Sequence, residues 1–214
     1  MYPTLYNNKK ISLKLFALLF FLIMLSSCVS KPPQDVNNIC NVFKQYPKWY
    51  TDAKDVERRW KIPVAVQMAI IHQESKFDAK ARPPRTKLLW IIPWKRPSSA
   101  YGYTQALRGT WKQYKHNNGN FWSSRDDFGD GVDFIGWYAN QAYLQAHIQR
   151  TDAYSLYLAY HEGIGGYQRK SYLKKPWLIS VAHKVNARSQ LYAMQLDKCR
   201  DATGVSWPPV TRPE

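Results

Sequence analysis

A mostly apolar run, Val64-Ala65-Val66-Gln67-Met68-Ala69-Ile70-Ile71, leads into His72-Gln73-Glu74-Ser75-Lys76-Phe77. Val64, Met68, Ile71 and Ser75 recur at spacings of four, three and four, with Ala65, Ala69 and Ile70 beside them, which predicts a buried helix. Pro63 suits its first helical position, where a missing N–H costs nothing. Around it the pattern predicts further helices: a short one over Asn37–Tyr46, and an amphipathic one over Trp49–Trp60 with Ala53, Val56 and Trp60 on one side. Thr110 is expected to cap a helix that ends near Asn117-Asn118-Gly119. Ser124 or Asp126 is expected to cap a longer one carrying Val132, Phe134, Ile135, Trp137, Tyr138, Gln141 and Leu144, and Thr151 a helix over Asp152–His161. Pro176 opens a last helix, in which Leu178, Val181, Ala182, Val185, Ser189, Tyr192 and Leu196 recur every three to four residues. No strand-length run alternates cleanly, and only Tyr101–Gln105 suits a small hairpin. The predicted fold is mostly α, a single domain with at most a small β-hairpin.

The amino-terminal segment is a different kind of sequence. Lys9, Lys10 and Lys14 precede the apolar core Leu15–Leu25, whose eleven residues would span about 16 Å as a helix, too short for a hydrocarbon layer of about 30 Å. Residues 1–27 therefore read as a secretory leader. Its end, Leu25-Ser26-Ser27-Cys28, resembles a bacterial lipobox, which implies cleavage before Cys28 and acylation of that cysteine. Val29 stands where an inner-membrane retention signal would show Asp, so the expected location is the outer membrane, facing the periplasm. Removing the leader leaves 187 residues, enough for one domain with a substantial core. The expected division is a tether over 28–36, the folded domain over 37–200 and a flexible, proline-containing tail over 201–214. Cys40 and Cys199 are then the remaining thiols, near the two ends of the domain in an oxidising compartment, which predicts a disulfide between them.

The formal net charge is +16, or +13 without the three leader lysines. Such a balance calls for an anionic partner. The leader takes the chain away from nucleic acid. Peptidoglycan, with its lactyl and peptide carboxylates, and lipid head groups are the polyanions left; a generic solubilising charge is the other reading.

Glu74 falls on the last turn of the buried helix. There the helix dipole and apolar walls both disfavour ionisation, raising a carboxyl pKa towards what a general acid needs near neutral pH. The competing reading is a surface Glu at a fraying helix end. Two further motifs follow: Ser99-Ala100-Tyr101-Gly102-Tyr103-Thr104-Gln105 and Ala159-Tyr160-His161-Glu162-Gly163. In this order, from Pro63 to Tyr167, they resemble the soluble-lytic-transglycosylase family of peptidoglycan-cleaving enzymes, which has a lysozyme-like fold. That family shows Glu-Ser closing a buried helix, then Gly-x-x-Gln, then Ala-Tyr-Asn-x-Gly. The resemblance implies that Glu74 is the catalytic acid and base and that Ser75, Tyr101, Gly102, Tyr103 and Gln105 surround the glycan. It also implies that the Tyr160 hydroxyl approaches the catalytic carboxyl, with His161 and Glu162 beside it. Two departures stand out. Tyr103-Thr104 replaces an apolar pair, which suggests a more polar and aromatic subsite, and His161 replaces the family's Asn. Residues 80–97 form an insertion with Lys80, Arg82, Arg85, Lys87, Lys95 and Arg96 and no acid, and Trp90 or Trp94 is expected to line the cleft.

Glycosidases ordinarily use two carboxylates. A lytic transglycosylase needs one, because the substrate's C6 hydroxyl replaces water as nucleophile. The implied activity is cleavage of the MurNAc–GlcNAc β-1,4 bond with 1,6-anhydro-MurNAc formation, on glycan strands, by a lipid-anchored monomer. Two other readings stay open: a hydrolytic lysozyme using Glu74 with Glu162 or a nearby Asp, and an inactive glycan-binding lipoprotein. His72-x-Glu74 and His161-Glu162 lack the HExxH spacing of a zinc site, no serine sits in a nucleophile elbow, and no metal or cofactor is expected.

Overall fold

The computed structural model describes residues 31–85, 87, 88, 92, 93, 96–119 and 121–201. The expected leader over 1–27, Cys28, Trp90, Trp94, Lys95 and residues 202–214 lie outside the described residues. Among the described residues there are eight α-helices: α1 Ile39–Gln45, α2 Pro47–Trp60, α3 Val64–Ser75, α4 Arg108–Asn117, α5 Phe128–Ala146, α6 Ala153–Glu162, α7 Ile164–Gln168 and α8 Pro176–Asp201. A 3-10 turn, Ser171–Lys174, joins α7 to α8. The fold is mostly α, as the apolar periodicity predicted. The small hairpin lies elsewhere than expected: Lys87–Leu88 (β1) pairs antiparallel with Ile92–Pro93 (β2) within the 80–97 stretch, while Tyr101 makes only an isolated bridge to Ala106.

Helix α3 is the axis of the domain. Every residue from Val64 to Ile71 is buried, and the helix packs against α2, α5, α6 and α8. A helix apolar all round can only be stable inside such a cage. Its one wholly buried polar side chain, Gln67, donates from Nε2 to the carbonyls of Ala53 (3.1 Å) and Ile62 (2.7 Å), fixing the α2–α3 connection. Glu57 accepts from the Val64 N–H at 3.1 Å, so a carboxylate of α2 caps a helix start whose own flanking residue, Pro63, has no side-chain donor or acceptor.

The other helices are locked to this axis by aromatic and polar contacts. Trp49 stacks between Tyr46 and Phe128, each at 4.2 Å between ring centroids. Asp133 of α5 accepts from Trp60 Nε1 and from the Tyr114 hydroxyl, both at 2.7 Å, tying α2, α4 and α5 together. Gly136 lets α2 approach α5, since a Cβ there would lie 2.4 Å from Val56 Cγ1 and 2.5 Å from Trp60 Cδ1. Helix α8 closes the opposite side. Gln195 Oε1 accepts from the Ile39 N–H at 2.9 Å, and the Cys40–Cys199 disulfide joins α1 to the end of α8. The stretch 31–36, expected as part of a tether, lies against the domain, with the Tyr46 hydroxyl donating to the Lys31 carbonyl (2.7 Å) and that of Tyr192 to Val36.

The caps differ from expectation by one to three residues. Helix α4 starts at Arg108 with no side-chain cap, so Thr110 lies inside it. Asp127, rather than Ser124 or Asp126, caps α5 by accepting from the Asp130 N–H, and Asp152, rather than Thr151, caps α6 by accepting from the Ser155 N–H. In both places several competent oxygens are adjacent, and tertiary packing decides which backbone turns out of the helix.

Candidate active site

Glu74 is the penultimate residue of α3. The chain leaves that helix through Lys76 and Phe77, both at positive φ, with Phe77 fully buried. This turn fixes where the carboxyl points: onto the floor of a cleft of about 520 Å³. One wall is the loop Ala100–Leu107. The others are α5, through Phe134 and Tyr138, and the end of α6, from Tyr160 to Gly163. Burial pushes the Glu74 carboxyl from its ordinary 4.5 up to about 7, opposed only by a hydrogen bond from the Tyr157 hydroxyl. The group is crowded by protein yet still reached by solvent through the cleft. A carboxyl that is part acid and part base at neutral pH can both give and take a proton in one catalytic cycle.

Tyr157 was not singled out in the sequence, although a signal for it exists. It stands three residues before Tyr160, and residues at that spacing share a helix face. Tyr160 lines the cleft as expected, but its hydroxyl donates to the Thr104 carbonyl at 2.6 Å rather than to Glu74. Burial and the nearby Glu74 charge hold the Tyr160 hydroxyl well above the usual phenol range, so it stays a neutral donor. The two tyrosines thus divide the expected work: the Tyr157 hydroxyl lies near the carboxyl and opposes the rise of its pKa, and the Tyr160 hydroxyl holds the facing loop.

That loop is built around Gly102, whose φ is +76°. The Gly102 N–H donates to the Ala81 carbonyl (3.0 Å), and the Tyr103 N–H to the Arg125 carbonyl (3.2 Å). Gln105, itself at φ +52°, lines the cleft. Its Nε2 donates to the carbonyls of Ala81 (2.9 Å) and Gly102 (2.8 Å), which leaves Oε1 as the end that can meet a ligand. Three residues expected to meet the glycan are placed otherwise. The Ser75 hydroxyl donates to the Tyr103 carbonyl at 2.7 Å, so it joins the end of α3 to the loop. Tyr103 is 1% exposed, edge-on to Trp49 and Phe128 in the core, and Thr104 is wholly buried, so the Tyr103-Thr104 pair does not line a polar subsite. The Tyr101 hydroxyl donates to Asp126 at 2.8 Å, and its ring lies beside the guanidinium groups of Arg82 and Arg125. Trp111 and Trp137 are core residues.

A methyl group at Gly102 would sit 1.9 Å from the Arg125 carbonyl oxygen, on a backbone that L-residues rarely adopt. Gly102→Ala should therefore destabilise by at least ~2 kcal/mol and depress activity more than stability, because the displaced loop carries Gln105. Thermal melts beside a turnover assay check this; a parent-like melting temperature would remove the steric argument.

His161 and Glu162 line the cleft opposite that loop. Glu162 accepts from Lys175 Nζ (2.7 Å) and the Ser171 hydroxyl (2.5 Å), with His161 Nδ1 at 3.2 Å. Lys175 first, then Ser171, hold its carboxyl well below the usual carboxylate range. The two glutamates of the cleft are therefore held differently at neutral pH: Glu74 is shared between its acid and base forms, and Glu162 is firmly ionised. Among the described residues no three His, Cys, Asp or Glu side chains stand together as a metal-ligand group. The family model described as Transglycosylase SLT domain matches residues 16–199. No curated protein sequence matches the chain.

Proposed function

The chain belongs to the transglycosylase SLT domain family, and from that premise we propose that it is a lipid-anchored lytic transglycosylase cutting the MurNAc–GlcNAc β-1,4 bond of peptidoglycan, with Glu74 as its single acid and base. The observation that carries the reading is the place of Glu74, a largely enclosed carboxyl at the end of α3 that lines the cleft, while the other cleft carboxylate, Glu162, is engaged by Lys175, Ser171 and His161.

The steps follow from those two states. Protonated Glu74 gives its proton to the glycosidic oxygen as the C1–O bond breaks, and the GlcNAc side leaves as an alcohol. The 2-acetamido oxygen of the MurNAc residue stabilises the cation at C1. Glu74, now a carboxylate steadied by the Tyr157 hydroxyl, takes the proton of the C6 hydroxyl as that oxygen attacks C1 and closes the 1,6-anhydro ring. Glu74 ends protonated, and no water is consumed. Gln105 and His161 line the walls against which the strand would lie. Purified sacculi treated with the protein should release soluble muropeptides; failure to release any would count against the proposal.

The anchor is a separate part of the proposal, supported by the lipobox-like Leu25-Ser26-Ser27-Cys28. Among the described residues no helix is long and apolar enough to cross a membrane. Cys28→Ala should leave the protein unacylated and shift it from the membrane pellet to the soluble fraction. A variant that still sediments with outer membranes after salt washing would contradict the anchor and leave the cleavage chemistry untouched.

A further inference from the structure

We infer that His161 and Trp177 form a shelf on which a sugar ring of the bound strand stacks, and that Glu162 is the positioning residue that holds this shelf, not a second catalytic carboxylate. The inference rests on the reading of the cleft as a glycan site. Trp177 stands on the first turn of α8, behind Pro176, and is 55% exposed. Its ring centroid is 5.1 Å from that of His161, with the planes at 80°, and His161 lines the catalytic cleft. Through that contact the exposed Trp177 adjoins the cleft at His161. On the facing wall Leu107, 49% exposed, also lines the cleft. The C–H face of a pyranose and the face of an indole make a complementary pair, with the sugar's hydroxyls directed outward. His161 adds a polar handle. With Nδ1 turned to Glu162, Nε2 is the ring nitrogen left for a sugar hydroxyl.

What holds the shelf is Glu162. Its side chain is only 4% exposed, and its three partners come from α6, the 3-10 turn and the residue just before α8. Those contacts fix the end of α6 against the start of α8, which are the two places that carry His161 and Trp177. An ionised carboxylate held by an ammonium and a hydroxyl has no proton to give, and the bound Lys175 disfavours its taking one. The cleft carboxylate that a hydrolase would need as water activator is thus used as a bracket.

The test measures binding and turnover in the full-length protein. The probe for binding is a β-1,4-linked GlcNAc hexamer titrated against the Glu74→Gln protein, read by calorimetry. Adding Trp177→Ala should weaken binding about tenfold, and Trp177→Tyr should restore most of it, because a phenol face also stacks. Parent-like binding by Trp177→Ala, or equal losses with Ala and Tyr, overturns the shelf. With Glu74 intact, Glu162→Gln should raise KM on sacculi while kcat stays within about threefold, whereas a hundredfold fall in kcat would make Glu162 catalytic and overturn its assignment as a bracket. Circular dichroism of Glu162→Gln accompanies the assay, and loss of the fold on removing one charge of the bracket would likewise overturn a purely local positioning role. If the parent cleaves sacculi but Trp177→Ala binds normally, the shelf alone falls. If the hexamer binds as expected but the parent does not cleave, the proposed enzymatic function falls and the shelf stands.

Discussion

Glu74→Gln should reduce release of muropeptides from sacculi by at least about a hundredfold, the range expected when a positioned general acid is removed. The amide keeps the size and hydrogen-bonding shape of the carboxyl, so binding to sacculi should stay near the parent's. The same substitution has a second, opposite consequence. Burial raises the folded-state carboxyl from 4.5 to about 7, so the native protein holds this proton more tightly than the unfolded chain does. The stability linked to that proton is fully present below pH 4.5 and is lost as pH climbs through about 7. The interval corresponds to a loss of up to ~3 kcal/mol. Glu74→Gln carries no such proton. It should match the parent's stability near pH 4.5 and exceed it above pH 8, by less than that figure because the cleft admits solvent. Chemical denaturation across this pH range checks the sign. Parent activity should fall as pH rises through about 7, where the folded protein loses the acid form that starts the cycle. A variant that is inactive and also destabilised at high pH would mean that the carboxyl is structural rather than poised.

The second large effect concerns the disulfide. Cys40 and Cys199 lie 159 residues apart in sequence with Cα atoms 6.2 Å apart. Closing so long a loop restricts the unfolded chain by up to about 5 kcal/mol on the chain-entropy view. Cys40→Ala with Cys199→Ala should therefore lower the melting temperature by roughly 10 °C or more. The hydrogen bonds of Gln195 to Ile39 and of Tyr192 to Val36 still hold α1 and the preceding stretch on α8. Cleavage measured well below the transition should accordingly survive. Calorimetry of the double variant is the measurement, and an unchanged melting temperature would show that α8 and α1 are joined well enough without the bond.

Much of the fold was legible because the chain's strongest signal is also its centre. A helix apolar on all sides has to be an axis, and the carboxyl on its last turn has to feel burial. The disulfide was legible from compartment and position. The Gly-x-x-Gln and Ala-Tyr motifs marked the right segments, but which of their side chains face the cleft depends on heights and rotations between helices that no local pattern carries. Ser75 and Tyr103 belong to matched motifs, yet they serve the joint between α3 and the loop. Tyr157 and Tyr160 share a face of α6, and only the packing of α6 against α3 decides which hydroxyl reaches Glu74. Nothing in the sequence marks Trp177, because its neighbour in space, His161, is sixteen residues away. The caps were misjudged where Asp and Ser or Thr crowd together, since each is chemically able to cap.

In the proposed reaction one carboxyl does both proton transfers and the substrate's own C6 hydroxyl is the nucleophile. Mass spectrometry of muropeptides released from sacculi, before and after borohydride treatment, tests it most directly. The prediction is chain ends one water lighter than hydrolysis products and unchanged by borohydride, as 1,6-anhydro rings must be. Ends of full mass that borohydride reduces would show that water attacked C1, and would contradict single-carboxyl transglycosylation.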